Sequence, residues 1–104
     1  MDNWNIDISR VMASSISVTW THYVPDNSYL LLLYAVVCTP IAYKAGPIVV
    51  TANETATNTE VGRLRALTEY SVHVLALIMH TDGGALSLKG SQKRNVTTPE
   101  GGKC

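Results

Sequence analysis

The sequence predicts an all-β chain folded as a two-layer antiparallel sandwich of seven short strands. Three observations predict it. First, apolar residues recur at every second position: Tyr70, Val72, Val74, Ala76 and Ile78 form one run, and Ile16, Val18 and Trp20 another. Strand side chains alternate between two faces, so each run points one way, and Val, Ile and aromatic residues suit a pleated, half-buried surface. Second, Tyr70 opens its run six residues after Leu64. That is the arrangement of a tyrosine corner: the ring enters the core and the hydroxyl bonds back to backbone a few residues upstream. Third, turn formers separate the runs, and no segment shows helical periodicity with caps.

Taken in order, Ile6 and Ile8 alternate with polar residues and predict a first strand, with Trp4 covering one end of the core. After the turn Ala13-Ser14-Ser15, the run from Ile16 to Trp20 is a half-buried second strand. Pro25, Asp26 and Asn27 form the next turn. Leu30 to Cys38, apolar on both faces, is a third strand closed by Thr39-Pro40. Ile48 to Thr51 is a short fourth strand, and the Thr-rich stretch Thr55 to Arg63 is an extended fifth with Val61 inward. The Tyr70 strand follows and ends at the turn Asp82-Gly83-Gly84. Gln92 to Thr98 is a polar last strand. The domain is expected to span residues 1–99, with residues 100–104, Gly-rich, as a linker or tail.

The chain has 104 residues and 46% apolar content, enough for the core of one sandwich domain. Eight basic and eight acidic residues balance to a net charge of zero. Nucleic-acid partners, which need a basic surface, are therefore not expected. The apolar run Tyr29 to Cys38 is far short of the roughly 20 residues of a membrane helix, so the domain is not expected to insert into a bilayer. Met1 is followed by Asp2 and Asn3 and not by a basic and then an apolar segment. No signal peptide is expected at this end, and Met1 is expected to begin an excised domain.

Four motifs now give a resemblance. Ser15-Ile16-Ser17-Val18-Thr19-Trp20 resembles the second strand of fibronectin type III domains with its core Trp. Tyr34-Ala35-Val36-Val37-Cys38 resembles their Tyr-x-Val-x-Tyr third strand, with Cys38 in place of the last Tyr. Leu64 to Tyr70 resembles their Leu-x-Pro-Gly-x-x-Tyr corner, with Ala66 and Leu67 in place of Pro and Gly. Val96-Thr97-Thr98-Pro99-Glu100 resembles the end of their last strand. The resemblance implies a seven-stranded antiparallel immunoglobulin-like sandwich of the fibronectin type III kind. Its structural core would comprise Trp20, Tyr34, Val36, Leu64, Tyr70, Val72 and Val74. True immunoglobulin domains carry the Trp on the third strand and a Cys two residues after the corner Tyr. Here the Trp is on the second strand and that position is Val72.

No motif carries chemistry. Gly-x-Ser-x-Gly, a phosphate-cradling Gly-rich loop and His-Glu-x-x-His are all absent from the sequence. No catalytic residue, cofactor or metal is expected. His22 and His80 fall at one pole, but zinc wants three or four ligands, and solvated loop histidines are the favoured reading. The family's strand order also makes a Cys38–Cys104 bridge geometrically feasible, although the preferred reading is a core Cys38 and a Cys104 that pairs elsewhere. Asn53-Glu54-Thr55 and Asn95-Val96-Thr97 match the glycosylation acceptor pattern.

The surface is more informative. With Tyr34, Val36 and Cys38 inward, Leu31, Leu33, Ala35 and Val37 face outward; with Tyr70, Val72 and Val74 inward, His73, Leu75 and Leu77 do. The resemblance makes these two strands neighbours. Leu33, Ala35, Val37, His73, Leu75 and Leu77 are then a candidate protein-binding patch, where a solvated sheet face would read polar. The expected function is a non-catalytic, extracellular interaction or spacer module of a larger adhesion or receptor-type protein, secreted or at the cell surface. Its partners would be another protein or neighbouring domains of the same chain, with a weak homodimer as a candidate. The alternative is an accessory domain of a secreted multidomain enzyme.

Overall fold

The computed structural model describes residues 4–42 and 44–101. Its strands are β1 (Ile6–Val11), β2 (Ile16–Trp20), β3 (Tyr29–Pro40), β4 (Ile48–Asn53), β5 (Asn58–Val61), β6 (Glu69–His80), β7 (Leu86–Gly90) and β8 (Arg94–Thr97). Among the described residues there is no helix. All pairings are antiparallel. One sheet runs β1-β2-β5; the other runs β4-β3-β6-β7, with β8 also on β6.

The inner faces meet in one core. Ile6, Ile16, Val18, Trp20 and Val61 come from the smaller sheet; Tyr34, Val36, Cys38, Tyr70, Val72, Val74 and Ala76 come from the larger. Trp20 is buried against the Tyr34 ring, centroid to centroid 5.2 Å. Trp4 closes one end, where its Nε1 donates to the Thr21 carbonyl oxygen at 2.9 Å.

Eight strands appear where the alternation predicts seven. The extra one is β7, which lies within the stretch after Gly83-Gly84. Gly83 and Gly84 both have positive φ (108° and 75°), which only glycine adopts freely. They turn the chain so that Leu86, Leu88 and Gly90 pair with Met79, Leu77 and Leu75. The chain then breaks off at Ser91. Its N–H donates to the Val74 carbonyl oxygen (2.8 Å) and its Oγ accepts from the Val74 N–H (2.9 Å). β8 resumes along the same edge of β6, from Val72 to Glu69.

Register shifts correct one expectation. A bulge lies between Leu31 and Leu33 in the β3–β6 ladder. An extra residue flips the alternation, so Leu31 pairs with Ile78 and packs against the core instead of facing outward. A Cys38–Cys104 bridge would involve a residue outside the described ones. Cys38 itself is a buried free thiol, and burial pushes its pKa up to about 11.

Candidate functional site

Two places on β6 concentrate the non-random features of this molecule. At its start lies the corner. Tyr70 is buried and its hydroxyl accepts from the Arg65 N–H at 2.8 Å. Leu64 is buried beside it. Leu67, where the family pattern has Gly, adopts φ 53° and is largely exposed. Arg63 also has positive φ, 62°.

Thr98, which alternation alone does not single out, closes this corner. It is the buried polar residue among the described ones, 1% exposed. Its Oγ1 donates to the Arg65 carbonyl oxygen and accepts from the Thr68 N–H (3.0 Å), while its own N–H donates to the Thr68 carbonyl oxygen (3.0 Å). A backbone group that is fully buried and left unpaired costs about 1–3 kcal/mol; here one buried hydroxyl pairs two part-buried backbone groups. The sequence carries no signal for this beyond the family-like Thr-Thr-Pro ending.

Along the rest of β6 lies the outer face of the larger sheet. Asn53, Leu33, Leu77 and Leu88 form one row across β4, β3, β6 and β7. Thr51, Ala35, Leu75 and Gly90 form the next, and Val49, Val37 and His73 a third. Leu33, Ala35, Leu75 and Leu77 are half-buried. Val37 differs from expectation: it lies on this side but is only 8% exposed. Val49 and His73 stand directly opposite it on either side, so it adds little accessible surface. The face also extends further than the patch read from the sequence. Leu86 and Leu88 on β7 are 62% and 58% exposed, and their spacing of two is the signal that places them on one side.

His73 sits at the far end of this face. Its Nδ1 is buried without a hydrogen-bond partner. Burial, and then the nearby Lys93 charge, hold its pKa below the usual histidine value.

The two acceptor triplets both reach the surface. Asn53 is exposed at the end of β4, opposite Leu33, and Asn95 is exposed on β8, opposite Ser71. His22 lies edge-on to Tyr34, centroids 6.1 Å apart, and His80 edge-on to Tyr29 at 4.9 Å. Among the described residues no three of His, Cys, Asp and Glu gather as a metal site.

Known proteins share this architecture. The family model for the fibronectin type III domain matches residues 4–92, and the chain belongs to that family. It is similar to an FN3 domain of human collagen XX: 28% identity, TM-score 0.67, covering 91% of this chain and 88% of that one. It is also similar in fold to the FN1–FN3 domains of chicken CNTN1: 22% identity, TM-score 0.70, covering 91% of this chain and 31% of that one. A third likeness of fold is to the kinase region of C. elegans twitchin: 17% identity, TM-score 0.68, covering 94% of this chain and 16% of that one. No curated protein sequence matches the chain. Domains of this family are modules of multidomain proteins, often adhesion or receptor proteins, and are generally non-catalytic. They mediate protein–protein contacts within such chains.

Proposed function

We propose that this domain is an extracellular protein-contact and spacer module of a larger adhesion or receptor-type protein, and that the outer face of its five-stranded sheet makes the contact. Residues 1–99 form the module and residues 100–104 a linker or tail. One observation carries the reading: the outer face is apolar across β3, β6 and β7, where Leu33, Leu75, Leu77, Leu86 and Leu88 share one side. An antiparallel sheet with one face in water alternates to polar on that face. A large apolar face on a soluble domain marks an interaction surface. Each Å² removed from water contributes about 25 cal/mol. Association also costs rigid-body freedom, so self-association of the isolated domain is weak and a dedicated partner binds better.

The test is the double variant Leu33→Asp, Leu75→Lys, set beside Glu60→Lys on the other sheet. Both changes of the double variant lie outside the core, so the fold is retained by circular dichroism. Dimerisation, and capture of neighbouring domains of the parent protein, should fall in the double variant and not in Glu60→Lys. Equal behaviour of the two would assign the face to ordinary strand packing.

A further inference from the structure

We infer that Asn53 carries an N-linked oligosaccharide, and that this glycan covers the Leu33–Leu77–Leu88 end of the outer face. The inference rests on the extracellular reading above. Asn53, Glu54 and Thr55 are all exposed and form an acceptor triplet. They span the last residue of β4 and the turn that leads to β5, where the Ala56 N–H donates to the Asn53 carbonyl oxygen at 3.0 Å. Within that turn the Asn53 side chain is held by one atom. Its Oδ1 accepts from the Thr55 N–H (3.0 Å) and from the Thr55 hydroxyl (2.7 Å).

This geometry is compatible with the modified product. In N-glycosylation the side-chain nitrogen of Asn53 attacks the anomeric carbon of an oligosaccharide linked to a lipid pyrophosphate. The N–C bond forms, the C–O bond to pyrophosphate breaks, and its electron pair leaves with the lipid pyrophosphate. The amide nitrogen gives up one proton, and nothing is oxidised or reduced. Oδ1 remains a carbonyl oxygen throughout, so both hydrogen bonds from Thr55 persist in the glycosylated domain.

Position decides what the glycan does. Asn53 is the polar end of a row that continues through Leu33, Leu77 and Leu88. Neighbouring strands are about 4.8 Å apart, which places Leu88 within about 15 Å of Asn53, in reach of a branched oligosaccharide. Asn95 differs: its neighbour across the ladder is Ser71, so a glycan there lies over a polar part of the sheet. In the glycosylated domain the contact proposed above is therefore confined to the rows of Val49, Ala35, His73 and Leu75, and the whole leucine face is open only in the unglycosylated domain, the form in which the Leu33→Asp, Leu75→Lys test is read.

The experiment secretes the full 104-residue chain from eukaryotic cells behind a cleavable signal peptide. Peptide mapping should find oligosaccharide on Asn53. Asn53→Gln and Thr55→Ala should each lose it, and Thr55→Ser should keep it. Hydroxyl-radical labelling of Leu33, Leu77 and Leu88 should rise when the glycan is removed enzymatically, while labelling of Leu67, on the corner, stays constant. An unmodified Asn53, or labelling of the three leucines that does not change, overturns the inference. Secretion is imposed by the signal peptide, so those results leave the extracellular reading standing. Protease protection on the parent protein tests that reading separately, and a parent domain found only in the cytosol overturns both.

Discussion

The outer faces of the two sheets are built from the same kind of strand and end up opposite in character. On the smaller sheet, the residues that pair across the outside are Asp7 with Thr19, Arg10 with Ser17, Ser17 with Glu60, and Thr19 with Asn58. Every one is polar, as a face in water should be. On the larger sheet the corresponding positions are Leu33, Ala35, Val37, Leu75, Leu77 and Leu88, relieved by His73 and by Thr51 and Asn53 along β4, and giving way to the polar row Thr39, Ser71 and Asn95 at the β8 end. Both sheets contribute to one core, so burial inside does not explain the difference. A polar face serves solubility, and the apolar one is the face proposed above for contact. At the edge between the sheets the Arg94–Asp7 pair, 3.6 Å apart with both side chains well exposed, is of a kind worth little, and Arg94 Nη1 also donates to the Ile6 carbonyl oxygen at 2.8 Å.

This contrast sorts substitutions by where they act. The largest effect is expected for what both sheets share. Trp20→Ala empties the space between them and should cost about 3–5 kcal/mol. In a domain of total stability about 5–15 kcal/mol, that takes a large share of the stability that holds both outer faces in place. Equilibrium urea unfolding measures this; a loss below about 1 kcal/mol would mean that the core does not depend on Trp20.

The corner is next. Tyr70→Phe removes the hydroxyl that accepts from the Arg65 N–H in a part-buried bond and should cost about 1–3 kcal/mol with the fold intact. An unchanged unfolding midpoint would show that another group satisfies that N–H. The smallest stability effect is a gain. Leu67 holds a left-handed conformation, which disfavours non-glycine residues by roughly 1–2 kcal/mol, partly offset by the greater chain entropy that glycine loses. Leu67→Gly should raise the midpoint by an amount worth up to about 1 kcal/mol with an unchanged denaturant slope. A lowered midpoint would show that the Leu67 side chain contributes more than its backbone strain costs.

The fold was legible because period two is uninterrupted through β2 and most of β6, and because Leu64 and Tyr70 have the spacing of a corner. Legibility fails wherever a residue's role depends on something other than alternation. Leu31 is misplaced because a bulge one residue further on flips its face, and a bulge leaves no mark in a run of four leucines. β7 is hidden because its Leu-Ser-Leu-Lys-Gly sequence follows two glycines and reads as loop. Val37 has the right side but the wrong exposure, since its cover comes from β4 and β6. Thr98 looks like an ordinary strand-end hydroxyl, and only the tertiary approach of residues 65–68 makes it a shared partner. The outer face is therefore half legible: the β3 and β6 leucines follow from pattern, and Leu86 and Leu88 need the topology.

The most direct test of the contrast between the two faces is sedimentation velocity with partner capture on three forms of the domain: the unaltered chain, Leu33→Asp/Leu75→Lys, and Glu60→Lys. All three should fold, and the unaltered chain and Glu60→Lys should associate and capture alike. The double variant should be strictly monomeric and capture less. Three indistinguishable profiles, or a double variant that unfolds, would contradict an apolar outer face built for contact.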